Sequence, residues 1–321
     1  MRTMRGKTER ERTVTEGMYE GRPLARPTED LVDQGAAFDV TTLISRRRVL
    51  SLVGLGVGAV ALAACTPSSA AEATASSADT STGGTTSASG EIPEETNGPY
   101  PADGTNGVNI LEESGIVRSD ITSSLDGGTT VDGVPLTFSF TLTDMAGGNV
   151  PFEGAAVYVW HCDAQGRYSM YTQGVEDETF LRGVQVADAN GQVTFQTIVP
   201  GCYAGRWTHI HFEVYPDLTS VTDVSNAIAT SQVAFPADML AGVYALDQYS
   251  GSAKNLAGVG TSPADDMVFG EGDWSLELGT FTGDVDSGYI GSLAVGVDTS
   301  TTPSLSGGGG QPRSGGQQRS S

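Results

Sequence analysis

The chain has 321 residues, 38% of them hydrophobic, which is enough to bury a full core and leave room for tails. Its charge is unevenly divided: ten of the 17 Lys and Arg lie before residue 65, and beyond that point seven basic residues face 31 acidic ones. So anionic a surface repels phosphate backbones, which argues against nucleic acid or an anionic lipid surface as a partner.

Residues 1–44 are polar and mixed in charge, with neither helical nor alternating apolar periodicity, and are expected to form an unstructured extension. Ser45-Arg46-Arg47-Arg48-Val49-Leu50 then leads into an apolar run, Leu52 to Ala64, that ends at Leu62-Ala63-Ala64-Cys65. A basic segment, a short apolar core and small residues before a cleavage point form a secretory signal over 45–65, and the run is shorter than a membrane-spanning helix requires. The twin arginines resemble a twin-arginine export signal. The Leu-Ala-Ala-Cys ending resembles a bacterial lipobox, which implies a lipidated Cys65 and attachment to the membrane through it. The folded part is then expected outside the cytoplasmic membrane, as a lipoprotein on its outer face or as a secreted protein. Residues 66–91, rich in Ser, Thr, Ala and Gly, read as a tether, and 300–321, rich in Gly, Ser and Gln, as a disordered tail.

Between them, residues 92–299 form one domain of short apolar alternations: Leu136 to Leu142, Ala155 to Trp160, Val193 to Val199, His209 to Tyr215, Ser231 to Phe235, Ser275 to Phe281 and Tyr289 to Val297. Turn signals such as Asp126-Gly127-Gly128, Ala146-Gly147-Gly148-Asn149 and Ala189-Asn190-Gly191 separate them. Many short strands with little helical periodicity predict an all-β fold, an antiparallel β-sandwich.

The segment Thr208-His209-Ile210-His211-Phe212-Glu213-Val214-Tyr215 carries the chemistry. In a strand, Ile210, Phe212 and Val214 point one way and His209 and His211 the other, so two of only three histidines share one surface, an arrangement suited to a metal ion. The alternative is a half-exposed strand bearing two polar residues by chance. Tyr203, in the turn Pro200-Gly201-Cys202-Tyr203, and Tyr168, in Gly166-Arg167-Tyr168-Ser169, are candidate partners. Two imidazoles with two phenolates make a hard, oxygen-rich set that suits Fe(III) better than Cu(I) or a thiolate-bound zinc. Tyrosines packed with their hydroxyls at the rim are the plainer reading of such spacing.

At these residues the sequence resembles the intradiol ring-cleavage dioxygenases, non-haem Fe(III) enzymes that open catechols between the two hydroxylated carbons. The matching segments run in order: Asn97-Gly98-Pro99-Tyr100, Arg118-Ser119-Asp120-Ile121, Val159 through His161-Cys162-Asp163 to Ser169, Phe180-Leu181-Arg182-Gly183, Gly191 through Phe195 to Tyr203, and Arg206-Trp207-Thr208-His209-Ile210-His211-Phe212. The resemblance implies a sandwich of the aromatic-compound dioxygenase type and one Fe(III) per chain. Its ligands would be Tyr168, Tyr203, His209 and His211, with Tyr203 the one that leaves when a catechol binds. Arg206 takes the place of a cation that stabilises charge building on the ring. Gln232 resembles a glutamine lining the substrate pocket, and Tyr100 and Arg118 resemble substrate-binding or neighbouring positions; a salt bridge to Asp120 is the alternative for Arg118. A small aromatic diol and O2 would be the partners and a muconate-type diacid the product.

His161 resembles a packing position rather than a third imidazole ligand. Cys162 and Cys202 either pair in an oxidising compartment or remain free and buried. Glu176, Asp177 and Glu178 read as a solvated loop. Only Ala204-Gly205 separates Tyr203 from Arg206, which implies a more open pocket than in members with a longer loop there. Two other readings compete: a lipid-anchored β-sandwich binding module for polysaccharide, with Trp160 and Trp207 as an aromatic platform, and a catalytically silent shell that binds iron or catechol.

Overall fold

Leu136, Phe138, Phe140 and Leu142 alternate with Thr137, Ser139 and Thr141, and this period of two forms the ten-residue strand Pro135–Asp144 (β1), whose apolar members are all buried. The computed structural model describes residues 88–301, together with a short antiparallel pairing of Met18–Tyr19 with Arg22–Pro23. The rest of the 1–44 extension, the export signal of 45–65 with Cys65, most of the 66–91 tether and the tail beyond 301 lie outside the described residues.

After β1 come Val150–Pro151 (β2), Ala156–Trp160 (β3), Arg182–Val186 (β4), Gln192–Ile198 (β5), His209–Tyr215 (β6) and Ala229–Ala234 (β7). Two helices follow, Ala237–Val243 (α1) and Ser252–Val259 (α2), and then the hairpin Thr280–Asp284 (β8) and Gly288–Val297 (β9). One sheet runs β8-β9-β1, with β5 and the short β2 both pairing along the far edge of β1; the other runs β4-β3-β6-β7. The sandwich is as expected. One pairing departs from the antiparallel rule: β9 lies parallel to β1, from Tyr289 opposite Leu136 to Val297 opposite Asp144. The long stretch of chain between them supplies the crossover that a parallel pair needs.

The core lies between the sheets. Phe138, Phe140 and Phe195 from the first meet Val157, Val159, Ile210, Phe212 and Val214 from the second, with Phe140 and Phe212 at a centroid distance of 4.9 Å. Each fully buried side chain of this kind contributes roughly 1.5–3 kcal/mol. A second cluster, which includes Tyr100, Tyr158, Trp160, Tyr168 and Tyr203, covers the opposite face of the β4-β3-β6-β7 sheet. All seven residues of β6 are therefore buried, and the half-exposed strand is not what forms.

Four elements differ from expectation. The strand expected at Ser275 to Phe281 is a single helical turn, Trp274–Leu276, with strand only from Thr280, because the Asp273 side chain accepts from the Ser275 amide and caps that turn. Strand β4 has no counterpart among the expected alternations, since it opens on a buried arginine and a glycine. The helices α1 and α2, of seven and eight residues, are too short to impose a readable period. Among the described residues no helix is long and apolar enough to cross a membrane.

Candidate metal centre

The register of the second sheet builds the site. Arg182 on β4 stands opposite Trp160 on β3, Trp160 opposite His211 on β6, and His211 opposite Gln232 on β7. Residues directly opposite in a sheet share a face, so these four side chains form one row across it. His209 stands two residues from His211 on the same face, and the two Nε2 atoms converge to 3.0 Å. His209 Nδ1 donates to the Trp207 carbonyl at 2.5 Å, which leaves Nε2 as the nitrogen with a free lone pair. The His211 ring lies flat on Trp160, at 4.8 Å and 2° between planes, and Gly98 closes on its edge: a β-carbon there would come within 3.3 Å of His211 Cε1. Burial, reinforced by the Arg206 charge, lowers His209 to about 3, and burial with the neighbouring His209 takes His211 well below its ordinary value. Both imidazoles are held neutral, the state a metal requires.

Two turns bring the phenols. Gly201 passes so close to the Asp163 and Ala164 carbonyls, 2.7 and 2.6 Å from where a β-carbon would stand, that only glycine fits, and its amide donates to Asp163 O at 3.0 Å. That contact joins the turn bearing Tyr203 to the one bearing Tyr168, and Asp163 in turn receives the Arg167 side chain and the Arg167 amide. The Tyr168 and Tyr203 rings stand 5.9 Å apart, Tyr203 and His209 5.8 Å, and His209 and His211 4.6 Å. Tyr100 stacks on Tyr168 at 4.6 Å. Tyr203, the most exposed of the four proposed ligands, is only 5% exposed. The more open pocket expected from the short Ala204-Gly205 segment is not found around these side chains, because Gly98, Tyr100 and Phe269 pack over them.

The donor set fits a ferric ion. Two metal–nitrogen bonds of about 2.1 Å at right angles span roughly 3 Å, the separation at which the two Nε2 atoms stand. Among the described residues no group of three or more His, Cys, Asp and Glu is gathered for a metal, and the Tyr203 and Tyr168 rings stand beside the imidazoles as candidate anionic donors. Phenolate oxygen favours a hard, trivalent ion.

Arg206 is buried beside this cluster. Its Nε reaches both oxygens of Asp266, at 3.0 and 3.2 Å, and its Nη2 donates to Gln232 Oε1 at 2.7 Å. Gln232 Nε2 donates to the Thr96 carbonyl at 2.9 Å, so Gln232 links Arg206 to the segment that covers His211. Asp266 also accepts from the Trp207, Val268 and Phe269 amides. Burial alone would raise its carboxyl, but the guanidinium and these amides hold it below the ordinary range. No signal in the sequence marks Asp266: it lies 60 residues from Arg206, in a loop with no pattern.

Behind Arg206 are two buried acids. Burial, opposed in part by Arg206, raises Glu95 to about 8, and burial with Glu95 nearby raises Glu277 to about 9. The folded protein keeps protons that the unfolded chain releases near its ordinary value of 4.5, so this contribution to stability is fully present below about pH 4.5 and is lost as pH rises through about 9. Glu277→Gln, a neutral isostere, is therefore expected to flatten the decline of Tm between about pH 5 and about pH 9. Calorimetry across that range checks this, and parallel Tm curves for the two proteins would contradict it.

Arg118 is not brought into the cluster. Its guanidinium donates to the carbonyls of Arg182, Ser123 and Thr179, tying the 118–123 segment to the loop before β4, and none of these bonds goes to Asp120. His161 lies on the core side, where Nδ1 donates to Cys162 O and Nε2 accepts from Thr197 Oγ1. Cys162 and Cys202 are free thiols, with Sγ atoms directed to the carbonyls of Gly201 and of Arg206. Glu178 accepts from Ser124 and Thr129 at the surface. Trp160 and Trp207 are both buried, Trp207 donating to the Phe235 carbonyl, so they offer no platform to a polysaccharide. Arg182, which the sequence marks only as part of the Phe180-Leu181-Arg182-Gly183 motif, is fully buried on the site face.

By fold and site the chain is an all-β sandwich with a His–Tyr candidate metal centre on one covered sheet face. Residues 111–241 match the family model described as Dioxygenase, a span that holds Arg118, Tyr168, Tyr203, Arg206, His209, His211 and Gln232 but neither Tyr100 nor Asp266. The resemblance to the intradiol ring-cleavage dioxygenases noted in the sequence is matched by this family model and by solved structures of that kind. An intradiol ring-cleavage dioxygenase from Tetranychus urticae is similar at 24% identity, over 65% of this chain and 95% of that one, with a TM-score of 0.51. A second dioxygenase crystal structure matches at 24% identity over the same shares, with a TM-score of 0.52. These likenesses show a common fold.

Proposed function

We propose that this protein is a ferric intradiol dioxygenase that adds both atoms of O2 to a catechol-type diol and opens the ring between the hydroxylated carbons to a muconate-type diacid. The observation that carries the reading is the convergence of His209, His211, Tyr203 and Tyr168 in one buried ring cluster beside Arg206. A catechol plus O2 has the atoms of the diacid, so no reductant is needed. Ferric iron, when bound, supplies a Lewis acid that draws electron density from a coordinated catecholate and makes its ring reactive towards oxygen.

The side chains do the rest. His209 and His211, neutral and locked by Trp207 O and Trp160, would form the fixed half of the ligand set. Tyr203 would be the ligand that yields to substrate, its Oη taking one proton from the incoming diol. Arg206, oriented by Asp266 and Gln232, would stabilise negative charge developing on the ring, and in so dry a site such a fixed cation acts far more strongly than in water. Gln232 and Tyr100 would border the diol. We propose further that the protein works outside the cytoplasmic membrane, tethered through a lipidated Cys65.

Tyrosinate on ferric iron absorbs in the visible. The iron-loaded protein is expected to be coloured, its band to shift on adding catechol, and a muconate absorbance to grow as oxygen is consumed. Tyr203→Phe is expected to keep a weakened band from Tyr168 and to lose most of its turnover, about 100-fold, because the exchangeable proton acceptor is gone. A loaded protein that stays colourless and takes up no oxygen would overturn the reading. Binding of catechol with the band shifted but no oxygen uptake would favour the catalytically silent shell instead.

A further inference from the structure

Arg182 is the one charged side chain in the cross-strand row with His211 that the proposed reaction leaves without a task. It is fully buried at the head of β4. Its Nε donates to Ser169 Oγ and its Nη2 to the Ser169 carbonyl, each at 3.0 Å; its Nη1 donates to the Pro101 carbonyl and to Tyr158 Oη, each at 3.1 Å. Every one of these acceptors is uncharged. The acceptors are themselves fixed, since Tyr158 Oη donates to the Pro101 carbonyl and Ser169 Oγ to the Phe180 carbonyl, both at 2.7 Å. The guanidinium also lies 5.4 Å from the centre of the Tyr171 ring.

Ser169 is the residue after Tyr168, and Pro101 is the residue after Tyr100. The two tyrosine rings stack on each other at 4.6 Å. One guanidinium therefore grips the backbone just beyond both rings of the stack, with a two-point hold on Ser169 that only a planar fork can make. Burying a cation among neutral acceptors costs several kcal/mol that a packed apolar side chain would avoid. Core filling does not account for that cost, whereas holding two segments in one geometry does.

We infer that Arg182 is a positioning residue for Tyr168: by holding Ser169 and Pro101 it fixes the Tyr100–Tyr168 ring pair and the orientation in which the Tyr168 phenol is offered to the metal. The inference rests on the proposed role of Tyr168 as an iron ligand. Lysine at this position keeps the charge but cannot hold Ser169 at two points, so the conservative exchange should fail.

The test uses the full-length protein loaded with Fe(III), in the variants Arg182→Lys, Arg182→Gln and Ser169→Ala, with Tyr168→Phe as the reference for the part of the visible band that Tyr168 supplies. In folded Arg182 variants the Fe(III) affinity, read by chelator competition, is expected to fall about ten- to hundred-fold, with the Tyr168 part of the band shifted and weakened. Ser169→Ala removes one acceptor and leaves the carbonyl, and a smaller change in the same direction is expected. Folded Arg182 variants with a lowered Tm but the original band and affinity would show a purely structural role and overturn the inference. Where the Arg182 variants do not fold, Ser169→Ala decides alone, and its retention of the original band and affinity would likewise overturn it. A colourless loaded wild type would remove the proposed function and this inference together, whereas a coloured wild type with unchanged variants removes only the inference.

Discussion

His211→Ala is expected to lose the metal, with bound iron, visible band and oxygen uptake all falling more than about 100-fold, beyond the effect of disturbing a residue that only supports a ligand. His211 is the most firmly held of the proposed ligands: Trp160 lies parallel to its ring, Gly98 closes on its edge, and the Gln232 chain pairs beside it. Removing the ring leaves a cavity that costs about 2–4 kcal/mol. The apolar core between the two sheets is untouched, so the variant should fold with a lowered Tm. Iron content by elemental analysis, followed by an oxygen electrode, reads the result directly. His161→Ala is the matched control, because His161 faces Thr197 on the core side; full iron loading in His211→Ala, or equal loss in both variants, would count against the assignment.

Arg206→Met separates chemistry from metal binding. The variant is expected to keep its iron and visible band while kcat falls about 10²- to 10³-fold, the range seen when one fixed electrostatic stabiliser of a transition state is removed. It should also be less stable. Asp266 is buried and loses its cation, which costs about 3–5 kcal/mol and, for a domain of this size, lowers Tm by roughly 6–20 °C. The three amides that still donate to Asp266 place the expectation toward the lower end of that range. Adding Asp266→Asn to Arg206→Met relieves the unpaired charge, so Tm should recover in part while kcat does not. A kcat that recovers with Tm would mean that Arg206 acts only by holding the fold.

Regular alternation makes much of the fold legible in the sequence. Leu136 to Leu142 and His209 to Tyr215 alternate so regularly that strand, face and partner layer follow from the period alone. The paired imidazoles follow as well, since side chains two apart in a strand cannot avoid one another. Where local pattern is weak it misleads: Ser275 to Phe281 has the look of a strand, yet a side-chain cap at Asp273 turns its first half into a helical turn. Arg182 and Gly183 give no strand signal at all, yet they open β4, because their neighbours in the sheet, not their own propensities, decide the matter.

The sequence by itself determined the all-β sandwich, the shared face of His209 and His211, and the order of tyrosine, tyrosine, arginine and histidines that resembles one family. These are properties of short stretches, set by backbone period and by the chemistry of a few residue types. Only the tertiary structure decided that Asp266 would face Arg206, that Gln232 would join Arg206 to Thr96, and that Arg182 would hold the chain behind Tyr100 and Tyr168. It decided too that both faces of β6 would be covered. Such contacts join residues tens of positions apart, and nothing local specifies them: they exist because buried charges and amides must find partners wherever strand register and loop packing happen to bring them.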